Sequence, residues 1–359
     1  MKIGIISSST YPCPPVSYGS EVVNYWLAEA LQKKGHDVRL FAPDGSKPPE
    51  GVELYLFPLT YADCSLDAER KAVEWYEEVL RDCDVIHDSS ATCQVAEWAR
   101  FFGKKPCLTT RNGIEFTFPR PPYNVVVLSG MAQRYALAGV SAWYGTAFPQ
   151  FDSYPGKLRD CKVVHYGIDL DFYKPEGVKE DYFVYIGRPH PAKGVHVILE
   201  IAKRRPDKRF KLAWHATSPD HRAYEAEYLK DVNLLPNVEF INLPDDETHH
   251  QIKLNLYQRA RAFINPIQYV EAFGLTMAES LACGTPVVAT NWGSCEEVIE
   301  DKKTGLICRS LEELEASLDE VYKISPADCR KSAEERFSKE RMADDYLKLY
   351  EEVVGGAKW

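Results

Sequence analysis

No stretch of this 359-residue chain approaches the roughly 18 uninterrupted apolar residues that a membrane-spanning helix needs. The start, MKIGIISSST, has only a short apolar run after its lysine, too brief for a secretory leader, so the expectation is a cytoplasmic protein. The ten cysteines form no CxxC pair and no His/Cys cluster at zinc spacing, so they read as buried, small, apolar residues. No GxGxxG follows the first apolar run, and GxxxxGK[ST], HExxH and GxSxG are missing. Dehydrogenases, P-loop enzymes, zinc peptidases and nucleophile-elbow hydrolases are thereby disfavoured. There is no internal repeat and no low-complexity segment. Positive charge is in deficit: the net charge of −10 argues against a general grip on nucleic acid. A peripheral membrane contact has nothing in the sequence to support it.

What is present, 45% hydrophobic and 27% charged residues, is the composition of a globular protein with room for two domains. KIGIISSS reads as a buried strand. SEVVNYWLAEALQKKG reads as a helix with Ser20 as N-cap, an apolar stripe at Val23, Leu27, Ala30 and Leu31, and Gly35 as its stop. DVRLFAP follows as a strand, completing a βαβ unit, and CDVIHDSS, KPCLTT and NVVVLSG continue the series. A similar rhythm restarts at DYFVYIGR, after GIDLDFYKPEGVKED, which has the polarity and the Pro and Gly of a linker. The expected fold class is therefore α/β, with two doubly wound, Rossmann-like domains, 1–170 and 171–340, facing across a cleft. Ligands of such sheets bind beyond the carboxyl ends of the strands. Two features read as bland: the basic run KRRPDKRFK as a solvated helix end and strand start, and the DxD triplets at 82–84 and 169–171 as something other than metal sites.

In VEAFGLTMAES, Glu271 and Glu279 lie eight residues apart with no lysine or arginine beside them. If FINPI is a strand, Glu271 is on the loop at its end and Glu279 is inside the next helix. Eight helical residues span about 12 Å, too far for both acids to act on one bond. They suit the two ends of a hydroxyl-rich ligand. The unpaired amides of Gly274, Leu275 and Thr276 between them suit a phosphate. GRPHPAKG supplies Arg188 and Lys193, two cations able to stabilise a departing diphosphate. The ligand so described is a nucleotide-diphosphate sugar.

The chain resembles the retaining glycosyltransferases of family 4, which have the GT-B fold. The resemblance rests on YGSEVVNYWLAEALQKKGHDV, HYGIDLDFYKP, GRPHPAKG, EAFGLTMAESLACGTPVVATNWGSCEEVIED, KTGLIC and RFSKERMADDYLKLY. It implies that Arg188 and Lys193 hold the diphosphate, with Glu271 on the donor sugar, as the catalytic set. It implies a donor site completed by Gly19, Ser20, Gly187, Phe273, Gly274, Leu275 and Thr276, with Glu279 on the ribose. It also implies that residues 341–359, whose apolar stripe is Met342, Tyr346, Leu349, Tyr350 and Val353, form a helix that returns to the N-terminal domain. The family often has a histidine where Asn112 stands here, which leaves the acceptor contacts, sought at His87, Arg111, Asn112 and Glu115, less defined. No metal or cofactor is implied. The partners are a nucleotide-sugar donor, with UDP-sugars common in the family and GDP-sugars an alternative, and a hydroxyl-bearing acceptor. A noncatalytic sugar-nucleotide sensor and a GT-B phosphorylase or epimerase remain as alternatives. The sequence does not specify the acceptor, the sugar or the oligomeric state.

Overall fold

The structure, a computed structural model, describes residues 1–7, 11–14, 19–57, 66–90, 92–113, 124–138, 158, 160–216, 218–232 and 234–359. The described residues up to Gly167, together with Ser338–Trp359, form one compact unit, and Ile168–Phe337 form another.

In the first unit, seven parallel strands are formed: β1 (Lys2–Ile6), β2 (Asp37–Pro43), β3 (Glu53–Phe57), β4 (Val85–Asp88), β5 (Cys107–Thr110), β6 (Val125–Val127) and β7 (Lys162–Val163). Their order in the sheet is β3-β2-β1-β4-β5-β6-β7. Winding proceeds outward from β1 in one direction, then jumps back to β4 and proceeds in the other, with Ile3 of β1 paired to both Val38 and Val85. β4 and β6 are buried along their whole length, as strands covered on both faces must be. Helix Gly19–Lys33 buries the expected stripe of Val23, Leu27, Ala30 and Leu31. Ser20 does not cap it. That residue lies inside the first turn and its hydroxyl donates to Glu21 at 2.7 Å. Phe41 of β2 stacks on Tyr55 of β3 and meets Tyr76 edge-on, the centre of one apolar cluster.

The terminal helix, Lys339–Val354, is capped by the Ser338 hydroxyl, which accepts from the Arg341 amide. Its stripe of Met342, Tyr346, Leu349, Tyr350 and Val353 is buried on the first unit, against helix Gly19–Lys33 and beside β4 and β5. Ion pairs flank the contact, from Lys339 to Glu29 and from Lys34 to Asp344. At its start the helix crosses so close to Gly167 that a Cβ there would lie 2.6 Å from the Lys339 Cα.

The second unit repeats the plan with six parallel strands: β8 (Phe183–Ile186), β9 (Phe210–Trp214), β10 (Val238–Asn242), β11 (Ala262–Asn265), β12 (Val287–Thr290) and β13 (Gly305–Cys308), in the order β10-β9-β8-β11-β12-β13. Here the reversal falls between β8 and β11. The segment read as a linker begins where the two units divide, between Gly167 and Ile168, and is held to this unit by two cations. Arg330 donates to the carbonyls of Leu170, Tyr173 and Ala282, and Lys179 donates to Thr285 and to the carbonyls of Tyr257 and Cys283. Tyr173 is wholly buried. Residues 174–178 of the segment are exposed, while Lys179 turns onto backbone carbonyls, a difference that composition alone does not reveal.

The basic run is indeed a helix end and strand start, neutralised by Asp207 and Asp319 around Arg205 and Lys208. In the first triplet, Asp82 is held by Lys2 and Arg39, and Asp84 accepts the Lys2 amide. In the second, Asp169 accepts the amides of Asp171 and Phe172. All nine described cysteines are unpaired thiols, eight of them buried.

His87, on β4, is 1% exposed under the terminal helix. Its Nδ1 lies 2.6 Å from the Tyr350 hydroxyl and its Nε2 lies 2.7 Å from the Thr110 hydroxyl. Burial pushes this imidazole down to about 3. The unfolded chain takes up a proton near pH 6.5 that the folded one refuses until about pH 3, so the contribution is complete above about 6.5 and is lost progressively as pH falls through that window. In His87→Gln, the fall of melting temperature with pH across this window is expected to be shallower than in the wild type. Parallel melting curves check it, and equal slopes would show that the histidine is not the titrating group.

Candidate active site

The reversal between β8 and β11 opens a crevice at the carboxyl ends of these two strands, where ligands of open α/β sheets bind. Two loops line it. The first leaves β8 at Gly187 and carries Arg188, then turns through Pro191–Lys193 to Gly194, whose φ is +77°. A Cβ on Gly194 would lie 2.0 Å from the Pro266 carbonyl oxygen, so only glycine allows this loop to reach the end of β11. The Gln268 amide then donates to the Ala192 carbonyl at 2.7 Å, tying the first loop to the second.

The second loop brings Tyr269 and Glu271 against Lys193. The ammonium lies 3.1 Å from Glu271 Oε2 and also donates to the Tyr269 hydroxyl, which in turn donates to Glu271. Both charged side chains are 17% exposed. Burial lowers the pKa of Lys193, and the nearby Glu271 carboxylate offsets part of that fall. Burial opposes ionisation of Glu271 more than any one neighbour favours it, but the Lys193 charge and hydrogen bond, the Tyr269 hydroxyl and the Arg188 charge together hold the carboxyl below its usual range. Arg188 acts on the same pair: its charge lowers the pKa of both. An ammonium has three donors, of which two are used here, and Glu271 Oε1 has no partner among the described residues. The cluster therefore has one donor and one acceptor to offer a ligand.

Gly274, at φ +91°, starts helix Leu275–Ala282. The first backbone bonds of that helix are from Met277 and Ala278 to the Gly274 carbonyl. The amides of Gly274, Leu275 and Thr276 have no acceptor among the described residues, an anion site one step from Glu271. The turn around Gly293 sets the height of the loop. A Cβ on Gly293 would lie 2.2 Å from the Glu271 nitrogen, the Ser294 amide donates to the Glu271 carbonyl at 3.0 Å, and the Ser294 hydroxyl donates to the Phe273 carbonyl at 2.7 Å. Phe273, expected in the donor site, has its ring in the core, edge-on to Phe337. Its part is to anchor the loop.

Glu279 lies in the part of that helix, residues 277–282, that is buried all round, and its side chain is 4% exposed. Lys253 pairs with it at 3.0 Å and the Tyr257 hydroxyl donates to it at 3.3 Å. Each glutamate that lacks a cationic neighbour in the sequence thus has a lysine in space.

Arg188, Lys193, Glu271, Gly187 and the Gly274–Thr276 amides are brought together, and Glu279 lies one helical turn further on. In the first unit, Gly19 and Ser20 start helix Gly19–Lys33. Arg111 is buried, one guanidinium nitrogen donating to the Cys93 sulfur at 3.3 Å. Asn112 donates to the Ser89 carbonyl and accepts from the Tyr166 hydroxyl. His87 is a core residue with both ring nitrogens in hydrogen bonds, so the packing alternative explains it and a ligand contact does not. Glu115 lies outside the described residues. Reading the residues missed Tyr269, Lys253 and Ser294. Tyr269 had only its nearness to Glu271, two residues away on the same loop. Lys253 had none, being 26 residues from Glu279 on another helix.

Two α/β units with parallel sheets, each wound outward from a reversal, have the architecture of the GT-B class. Residues 170–338 match the family described as Glycosyl transferases group 1, and residues 18–172 match Glycosyltransferase Family 4. The chain belongs to the family 4 glycosyltransferases and has the GT-B fold. It is 30% identical over 174 residues to a D-inositol 3-phosphate glycosyltransferase of Paenarthrobacter aurescens (strain TC1), covering 43% of this chain and 40% of that relative. Sucrose-phosphate synthase from Thermosynechococcus elongatus superimposes with a TM-score of 0.77 at 19% identity, over 99% of this chain and 100% of the other. Anabaena HepE in complex with UDP and glucose gives 0.70 at 17% identity, over 98% and 99%.

Lys253→Met would leave the Glu279 carboxylate buried without its cation, at a cost of about 3 kcal/mol or more to the second unit. Lys253→Met combined with Glu279→Gln is expected to recover most of the loss. Denaturant unfolding of the three proteins checks this, and a double variant no more stable than the single one would show that the ion pair is not the source.

Proposed function

We propose that this protein transfers a hexose from a nucleotide-diphosphate sugar to an acceptor hydroxyl with retention of anomeric configuration, and that the donor is a UDP-sugar. The observation that carries this reading is the cluster of Arg188, Lys193, Tyr269 and Glu271 beside the unpaired Gly274–Thr276 amides. The diphosphate would lie over those amides and take the remaining donor of Lys193, with Arg188 supplying the second charge. As the bond from sugar to phosphate breaks, negative charge grows on the leaving oxygen, and these fixed donors gain strength with it. Glu271, through Oε1, orients the sugar that becomes oxocarbenium-like. The acceptor approaches on the face that the diphosphate leaves, and the leaving phosphate takes the acceptor proton.

The preference for uridine is supported by HepE, which has been solved in complex with UDP and glucose and is similar to this chain in fold alone. Because two protein cations neutralise the diphosphate, a divalent ion would be redundant. The reaction is therefore proposed to be metal-independent, in a cytoplasmic protein. No helix among the described residues is long and apolar enough to cross a membrane. Glu279 would accept the ribose hydroxyls on lone pairs that Lys253 and Tyr257 leave available.

Steady-state kinetics with a panel of nucleotide sugars tests the reading. Arg188→Ala and Lys193→Ala are each expected to lower kcat by about 100-fold, roughly 3 kcal/mol of transition-state stabilisation. Glu271→Ala is expected to behave similarly. Glu279→Ala removes contacts equal in ground and transition states, so it is expected mainly to raise the donor KM. Loss of kcat in Glu279→Ala with KM unchanged would overturn the ribose assignment. Binding of the donor with no transfer or hydrolysis would favour the sensor alternative. Treatment with EDTA is expected to leave turnover within about twofold, and loss restored by manganese or magnesium would overturn the cation-pair mechanism.

A further inference from the structure

On the second unit, beyond the Pro266–Gln268 segment that backs the Lys193 loop, lies a cavity of about 570 Å³. It sits among the carboxyl ends of β11, β12 and β13, the start of helix Val195–Arg204 and the start of helix Leu311–Glu320. None of the residues assigned above to the diphosphate, the sugar or the ribose lines it. Its size is that of a small-molecule site, about 300–1,000 Å³. The walls are held in place from behind: the Thr290 hydroxyl donates to the Ile267 carbonyl at 2.5 Å, and the Asn291 amide donates to the Cys308 carbonyl at 2.9 Å.

Trp292 forms part of the rim and is 48% exposed. Its ring stacks on no other ring, and its indole N–H has no acceptor, among the described residues. Apolar surface continues inward through Val197, Pro266, Leu311 and Leu314. Polar groups sit around it: the Gln268 side-chain amide, that of Asn291, whose nitrogen donates to Glu296 at 2.8 Å and whose oxygen remains, and the Arg309 guanidinium, which makes no ion pair among the described residues. Charge inside is nearly balanced. Glu200 pairs with Arg204 at 2.9 Å, and burial favours the neutral form of His196. One unpaired arginine beside a carboxylate is too little for a diphosphate. The ring of amides and charged groups is too polar for an aliphatic chain.

We infer that this cavity is a second binding site, for a carbohydrate ring, with one apolar face of the hexose stacked on Trp292 and its hydroxyls read by Gln268, Asn291 and Arg309. A hexose presents such a face of C–H groups with hydroxyls around its edge, the same distribution of apolar centre and polar rim that the cavity has. The site is also joined to the donor loops. Trp292 adjoins Gly293 and Ser294, which fix the height of Glu271, and Gln268 bonds through its amide to Ala192. A sugar held here therefore bears on the turn that positions Glu271. The inference rests on the cavity and holds whether or not the proposed reaction is correct.

Saturation-transfer NMR on the full chain tests it, with methyl α-glucoside, methyl α-galactoside, methyl α-mannoside and maltotriose as probes in the millimolar range, with and without UDP. At least one probe is expected to receive saturation at its ring C–H protons, to retain that signal when UDP is added, and to lose affinity by about tenfold in Trp292→Ala. Trp292→Phe is expected to be intermediate, and unchanged melting of both variants would show that they fold. No signal from any probe, or a signal indifferent to Trp292→Ala, would overturn the second site. A signal abolished by UDP would overturn it too, by putting the sugar at the Lys193 cluster. UDP resonances report separately on nucleotide binding, so failure there counts against the proposed function and not against this site.

Discussion

Everything else in this protein depends on the parallel arrangement of its two sheets. When all strands run the same way, every carboxyl end lies on one edge, and loops that are distant in sequence emerge side by side. Where the winding reverses, at β8 and β11, the two loops diverge to opposite faces and leave a crevice between them. The residues with chemistry to offer, from Arg188 to Lys193 and from Tyr269 to Thr276, come from these two loops and the helix start beside them. The close approach at Gly194 and the amide bond from Gln268 to Ala192 then hold the loops at fixed separation.

Within that crevice, charge is arranged in pairs with different surroundings. Lys193 and Glu271 are partly open to solvent, share a tyrosine hydroxyl and keep one donor and one acceptor unused. Lys253 and Glu279 are deeper, with side chains 12% and 4% exposed, and are supported by Tyr257. The outer pair is suited to exchange contacts as charge changes on a ligand. The inner pair is suited to present a constant set of acceptors, because reorganising buried charges costs more than reorganising hydrated ones. The same glycine-dependent closeness recurs at Gly293, where a turn from β12 supports Glu271 from beneath.

The first unit uses its polar groups differently. His87, Thr110, Tyr346 and Tyr350 make a hydrogen-bonded set between β4, β5 and the terminal helix. It gives direction to a contact that apolar packing alone would leave free to slide, since hydrogen bonds specify angle and register whereas dispersion does not. Arg111 and Asn112, at the end of β5, are likewise held by Cys93, Ser89 and Tyr166.

By itself, the sequence determined the alternation of strands and helices, the restart near residue 181, the apolar stripes of helices Gly19–Lys33 and Lys339–Val354, and the placing of Arg188, Lys193 and Glu271 on loops. These are local matters, because the period of apolar residues and the turn residues that end each run act over a few positions. β3 and β7 were not legible: β3 has one buried residue in five and β7 is two residues long, so neither carries a buried pattern. Only the tertiary structure decided which charges met. Nothing near Glu279 in the sequence points to Lys253, and nothing in a polar segment foretells the clasps of Arg330 and Lys179. Long side chains reach whichever group the packing of separate elements brings within about 3 Å, and that distance is a property of the fold rather than of any stretch of sequence.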